Sequence, residues 1–271
     1  MDAAQVLGAR PFLIAGPCVV EDDRLNIAVG EQLAALSQRL GLPVVYKASF
    51  DKANRSRLAA GRGPGMEEGL RQLAKVRDAT GLPVLTDVHE TAQCAAAAQV
   101  ADALQIPAFL CRQTDLLLAA GKTGRTVNVK KGQWMSPEGM AGAVEKVRGG
   151  GSPLVAVTER GSFFGYGDLV VDMRNFARLR QACRAPVVFD ATHSVQQPGK
   201  GAAGSSGGLR EFIPPLMMAA AAAGCDGFFI ETHPDPDRAP SDGANMWRLD
   251  QLAELLERTL SVWHSAQRQP A

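Results

Sequence analysis

Cys18, His193 and Glu231 lie far apart in the chain, and Asp242 follows in an S-D-G turn. If the fold brings them together, thiolate, imidazole and carboxylate make a donor set for a borderline divalent transition metal. Zinc, iron(II), cobalt and manganese all suit it, whereas calcium and magnesium prefer oxygen alone. A second set is cationic: Lys47, Lys52, Arg55, Arg112, Lys130 and Arg160. Twenty-nine Lys and Arg stand against twenty-eight Asp and Glu, a net charge of +1, so no global basic field exists to hold nucleic acid or an anionic membrane. Gathered on one face, these cations make a local pocket for phosphates and carboxylates, because Arg offers a bidentate fork and Lys a compact charge. The substrates expected are small and multiply anionic.

Positioning both sets requires elements that end together. Eight short apolar, β-branched runs alternate with longer Ala/Leu-rich segments. The runs are PFLIAGPCV (11–19), LPVVYKASF (42–50), LPVLTDVH (82–89), DALQIP (102–107), TVNVKK (126–131), LVAVTERG (154–161), APVVFDATH (185–193) and DGFFIETH (226–233). Helical periodicity is clearest over 29–40 and 67–78, both stopped by Gly-Leu-Pro, and the last helix is predicted at 248–263. Eight strand-helix alternations imply a (β/α)8 barrel of the α/β class, with a doubly wound sheet as the alternative. Cys18, Lys47, Asp87, Gln105, Lys130, Arg160, His193 and Glu231 all fall at or near C-terminal strand ends, where barrel active sites are built. Closure of the ring sets the eighth strand beside the seventh and the first, so Cys18, His193 and Glu231 converge and Asp242 can fold back as a fourth ligand.

With 271 residues, 46% of them hydrophobic and 21% charged, the chain fits a globular protein rather than a disordered or fibrous one. No Pro-, Ser- or Gly-rich linker divides the series, so 1–271 reads as a single barrel domain. Two loops stand out, GRGPG (61–65) and GKGAAGSSGG (199–208). The second follows the seventh strand, where an active-site lid would lie. Five scattered Cys without a CxxC pair argue for a reducing cytoplasm over a disulfide framework, and the N-terminus lacks a signal-peptide pattern.

The motifs A-G-P-C-V-V-E (15–21), Y-K-A-S-F-D-K-A-N-R-S (46–56), T-D-V-H (86–89), L-Q-I-P-A-F-L-C-R-Q (104–113), N-V-K-K-G-Q (128–133), T-E-R-G-S-F-F-G-Y (158–166), D-A-T-H-S-V-Q (190–196), I-E-T-H-P-D-P and S-D-G-A-N span nearly the whole chain. Together they strongly resemble the 3-deoxy-D-manno-octulosonate 8-phosphate synthases. K-A-N-R discriminates against the heptulosonate synthases, which carry a K-P-R-T type segment there. Arg57 departs from the pattern, standing where a second small hydroxyl residue is expected, but leaves Arg55 and Ser56 intact. The resemblance implies condensation of phosphoenolpyruvate with arabinose 5-phosphate, release of phosphate, and an eight-carbon acid sugar of the lipopolysaccharide inner core. Cys at position 18 matches the metal-dependent branch, and the metal ligands implied are Cys18, His193, Glu231 and Asp242.

On this reading Lys47 and Lys52 hold the carboxylate of phosphoenolpyruvate, Lys130 and Arg160 its phosphate, and Gln105 walls the same subsite. Asn54, Arg55, Ser56 and Arg112 hold the aldose and its phosphate. The resemblance implies that Arg112 acts across a subunit boundary, in a homotetramer. Lys47, Asp87, Lys130 and His193 form the catalytic set, His193 as a ligand and Asp87 as a contact to sugar hydroxyls or metal-bound water. Three rivals remain: a heptulosonate-type synthase using erythrose 4-phosphate, an aldolase with a Schiff base on Lys47 or Lys130, and a barrel that only binds phosphorylated sugars.

Overall fold

The computed structural model describes residues 2–201 and 206–267. Its centre is a ring of eight parallel strands: β1 (Phe12–Gly16), β2 (Val44–Lys47), β3 (Val84–Asp87), β4 (Ala103–Ile106), β5 (Thr126–Lys130), β6 (Val155–Glu159), β7 (Val187–Asp190) and β8 (Gly227–His233). Each strand pairs with the next in sequence, and β8 pairs back with β1 in a register that sets Gly16 opposite Glu231. The closed (β/α)8 barrel expected from the alternation is therefore present, and every anticipated run carries one of its strands. A helix packs outside each crossover, beginning with Asp23–Leu40 and Met66–Thr80 and ending with Leu252–Gln267.

Helix boundaries differ from the sequence reading for identifiable reasons. The helix expected over 29–40 starts at Asp23, because the Asp22 carboxylate accepts from the Leu25 N–H and caps it. Its first turns bury Asn26 rather than an apolar residue, with Asn26 Nδ2 donating to Gln72 Oε1 at 2.8 Å, so the apolar stripe begins late. Gly41 (φ 59°) and Gly81 (φ 69°) end the first two outer helices in the left-handed conformation that glycine adopts without a Cβ penalty. The last helix sits four residues beyond its expected start: Trp247–Arg248 pairs beside β8, and a 3-10 turn at Leu249–Gln251 intervenes. An antiparallel hairpin, Ser162–Gly165 with Asp168–Val170, follows β6 and was not anticipated, since its exposed Phe163, Phe164 and Tyr166 break the two-residue alternation.

Apolar side chains pack in two layers. The larger lies between strands and outer helices; the smaller fills the barrel bottom with Phe12, Ile14, Val45, Leu85, Ala103, Ala156, Val188 and Phe229. A short helix, Ala3–Gly8, closes that end with Ala3, Val6 and Leu7, a plug the sequence reading did not include. Gly227 leaves room for the Phe12 ring, whose edge would lie 2.5 Å from an added Cβ. Residues 202–205, within the 199–208 loop read as a lid, lie outside the described residues; Gln196–Gln197 before them pairs with Gly207–Gly208 after them. No helix among the described residues is long and apolar enough to cross a membrane.

Candidate active site

Strand periodicity turns the apolar floor into a polar layer. Two residues beyond inward-facing Val45, Leu85, Ala103, Ala156, Val188 and Phe229 come Lys47, Asp87, Gln105, Thr158, Asp190 and Glu231. These polar side chains are buried, so each needs a partner. Thr158 Oγ1 donates to Asn128 Oδ1 at 2.7 Å, Asn128 Nδ2 to Gln105 Oε1 at 2.9 Å, and Gln105 Nε2 to Asp87 Oδ1. Ser49 Oγ donates to the other Asp87 oxygen at 2.7 Å. Every donor in this chain of hydrogen bonds, through Thr158, Asn128 and Gln105 and from Ser49, points toward the Asp87 carboxylate. Burial would raise the Asp87 pKa, but Lys47 and Lys52 first, with His89 and the Ser49 hydrogen bond, hold the carboxyl well below the usual range.

Where β1, β7 and β8 meet, ligand atoms of Cys18, Glu231 and Asp242 lie within 4.8 Å of one another. Cys18 Sγ sits 3.2 Å from Asp242 Oδ2, and His193 Nε2 lies 3.8 Å from Glu231 Oε2. Among the described residues Glu231 Oε2, buried and facing the imidazole, has no hydrogen-bond partner. The predicted ligand His193 stands outside that 4.8 Å group, beside it; the thiol and two carboxylates, with the imidazole next to them, fit a divalent transition metal. Asp242 is held left-handed at φ 51° by the turn that folds it back, with Ser241 Oγ and Gln196 Nε2 donating to it at 2.9 Å each. Burial, reinforced by Glu231, pushes the Cys18 thiol well up. Burial also works against ionised Glu231, yet Lys47 and Lys52 bring its pKa well below the usual carboxylate range.

The cations lie against this cluster. Lys47 Nζ donates to Glu231 Oε1 at 2.8 Å and to the Cys18 carbonyl at 3.2 Å; Lys52 Nζ is 3.8 Å from the same Glu231 oxygen. Lys130 Nζ donates to Asp190 Oδ2 at 2.6 Å and stands 3.6 Å above the Phe229 ring centroid. Burial lowers the Lys130 pKa, with Asp190 opposing the shift. Arg160 Nη2 donates to Gln196 Oε1 at 2.6 Å, while its buried Nη1 has no hydrogen-bond partner among the described residues.

The residues read as the aldose end are less tightly gathered. Asn54 and Ser56 are exposed on the loop after β2, and the Arg55 guanidinium donates to Gly61 O at 2.7 Å and Ser241 Oγ at 2.7 Å, joining that loop to the one carrying Asp242. Arg112 is exposed after β4, and among the described residues its side chain makes no hydrogen bond or ion pair with the rest of the set. Asp190, Asn128, Gln196 and Ser49 were missed as site residues. Asp190 was legible: an Asp three residues before His193 is the spacing of a helix N-cap, and it accepts from the His193 N–H at 2.9 Å. Gln196 reaches the site through tertiary contacts that no spacing announces.

Comparison with known proteins adds a family. The sequence profile described as the DAHP synthetase I family matches residues 5–267. The 2-dehydro-3-deoxyphosphooctonate aldolase of Syntrophotalea carbinolica is 56% identical over 250 residues, covering 92% of this chain and 90% of that protein. Its namesake in Rhodopseudomonas palustris strain HaA2 is 58% identical over 248 residues, 92% of this chain and 86% of the relative. A third, from Koribacter versatilis, is 54% identical over 260 residues, 95% and 93% of the two chains.

Proposed function

The chain belongs to the DAHP synthetase I family, and from that premise we propose that it condenses phosphoenolpyruvate with D-arabinose 5-phosphate and water, giving 3-deoxy-D-manno-octulosonate 8-phosphate and inorganic phosphate. The name its relatives carry is another name for the octulosonate synthases, which favours the five-carbon acceptor over erythrose 4-phosphate. The observation that carries the reading is the donor cluster of Cys18, Glu231 and Asp242 set directly against buried Lys47 and partly buried Lys52, so that a metal and a multiply anionic substrate would share one wall.

The residues divide the work by charge. Lys47 and Lys52 face the carboxylate of phosphoenolpyruvate, and Lys130 with the unpartnered Nη1 of Arg160 faces its phosphate. Held at both ends, the enol presents C3 to the aldehyde in a near-attack orientation. The C3–C1 bond forms, water adds at C2, and phosphate leaves with cleavage of its C2–O bond. Asp87, ionised and fixed by Ser49 and Gln105, accepts from sugar hydroxyls. Cys18, His193, Glu231 and Asp242 would hold one divalent ion per subunit (zinc, iron(II), manganese or cobalt), which when bound supplies Lewis acidity. Asn54, Arg55, Ser56 and Arg112 take the aldose and its phosphate, Arg112 from a neighbouring subunit of a homotetramer. Exposed Phe109 and Trp134, whose ring centroids are 6.0 Å apart, support such an interface, Phe109 preceding Arg112 in the same segment. A cytoplasmic setting agrees with five free, buried cysteines.

Phosphate release from phosphoenolpyruvate tests the reading with arabinose 5-phosphate or erythrose 4-phosphate, each in chelator and after zinc, manganese or iron(II) is restored. Release with the five-carbon sugar and a metal alone is the expected result. Release in chelator removes the metal from the proposal, and preference for erythrose 4-phosphate moves the chain to the heptulosonate branch. Light scattering at fixed protein concentration tests the tetramer.

A further inference from the structure

Asp190 ends β7 with a carboxylate that is fully buried and shared between two side chains of different tasks. Its Oδ2 accepts from Lys130 Nζ at 2.6 Å and lies 2.8 Å from His193 Nδ1; its Oδ1 lies 3.0 Å from Nδ1 and accepts from the His193 N–H at 2.9 Å. A buried carboxylate against a neutral imidazole requires the proton on the near nitrogen, so Nδ1 donates and the lone pair stays on Nε2. Nε2 is the ring atom that faces Glu231. The backbone bond removes the remaining freedom, because the ring and the turn that carries it are anchored on the same carboxylate.

Lys130 reads the carboxylate from the other side. Its Nζ is 3.3 Å from His193 Nδ1, and two donors this close are tolerable only with an acceptor between them. From these contacts we propose that Asp190 is a positioning residue with two clients, fixing the His193 tautomer that leaves Nε2 free to ligate and pinning Lys130 on the opposite wall of the site. The role assigned to Nε2 rests on the metal reading above; the tautomer and the tie to Lys130 do not. An amide at 190 keeps the size but puts an NH2 donor in place of one oxygen, so it cannot accept from Lys130 Nζ, the His193 ring and the His193 N–H together.

Three measurements on the full chain separate the possibilities. The first is ¹⁵N NMR of histidine-labelled, metal-free protein at a pH where the ring is neutral. His193 is expected as the Nδ1–H tautomer in the parent and as a mixture or the Nε2–H form in Asp190→Asn. A parent already in the Nε2–H form overturns the proposal, whatever binds the metal. The second is cobalt(II) competition against a chromophoric chelator without substrate. Asp190→Asn should loosen the ion ~10–100-fold, the usual effect of losing a histidine's outer partner, while Lys130→Met should leave it within about threefold. Equal affinity in Asp190→Asn and parent refutes the ligand-positioning role, whereas a parent that binds no cobalt refutes the metal reading and leaves the tautomer result standing. The third is a double-mutant cycle on kcat/KM at saturating metal: Asp190→Asn and Lys130→Met should be non-additive by at least about tenfold, and additive effects would strip Lys130 from the proposal. Should Asp190→Asn fail to fold, Asp190→Ser, which keeps a hydroxyl acceptor for the backbone cap, replaces it in all three.

Discussion

Replacing Lys47 with methionine isolates the electrostatics at the centre of the site. The side chain is 1% exposed and its Glu231 partner 0%, with Nζ and Oε1 2.8 Å apart. Two unit charges at that distance attract by roughly 6 kcal/mol at an effective dielectric near 20. Methionine fills most of the same volume, so little of the loss is cavity. Lys52, 3.8 Å from the same oxygen, stays in place and softens the change. The net cost expected is therefore about 3–5 kcal/mol, the range for stranding one member of a buried pair. For a chain of this length it lowers the melting temperature by about 6–20 °C. Circular dichroism melts at one protein concentration, metal-free and metal-loaded, provide the assay. The metal-free variant should suffer more, since a bound cation takes over as the partner of Glu231. Lys47→Met/Glu231→Gln, melted metal-free, should recover most of the loss because no charge is then stranded. A metal-free Lys47→Met that melts within about 2 °C of the parent, or a double variant as unstable as the single, would refute the reasoning.

Other outcomes follow from the same geometry. Asp87, Asp190 and Glu231 each resist the upward push of burial, the first and last through Lys47 and Lys52, Asp190 through His193 and Lys130, and all three stay well below the ordinary carboxylate range. Depressed folded-state values give stability that is fully present above the unfolded pKa near 4 and lost as pH falls further, so melts should be insensitive to these groups from pH 7 to about 5 and drop below about pH 4. Cys18→Ser should abolish metal-dependent activity and metal uptake by equilibrium dialysis; full activity in chelator would remove Cys18 from the ligand set. Because burial keeps the Cys18 thiol protonated, uptake of metal should release a proton and tighten by up to about tenfold per pH unit, measurable by calorimetry in buffers of different ionisation enthalpy. Gly16→Ala would set a Cβ 2.1 Å from the Lys47 carbonyl oxygen, forcing β1 from β2 just below Cys18; a stability loss of about 1–3 kcal/mol is expected in urea titrations, with weakened metal affinity.

The barrel was legible because its strands are local events: β-branched runs such as V-V-Y-K and V-V-F-D, closed off by Gly and Pro, alternate with helices of clear period. What the alternation hid was equally physical. Asn26 inside the first outer helix interrupts its apolar stripe, so periodicity understated that helix by two turns. The 162–170 hairpin follows a different rule, with its aromatic side chains turned outward.

For the site, residue types and their places at strand ends were readable in one dimension, because a strand's last inward residue is set by counting in twos from its apolar floor. Cys18, Lys47, Asp87, Lys130 and Glu231 were read from their places at or near strand ends together with the recognisable motifs around them. Pairing was decided only by closure of the ring. Lys47 and Glu231 are 184 residues apart and become neighbours because β8 returns to β1. That closure, with the loops above it, also hands Asp190 to both Lys130 and His193, brings Arg55 to Ser241, and leaves one oxygen of Glu231 and one nitrogen of Arg160 without a hydrogen-bond partner among the described residues. A sequence names the charged groups that a strand end will present. Which of them neutralise one another, and which stay available for a ligand, depends on distances across the barrel, which only the three-dimensional closure sets.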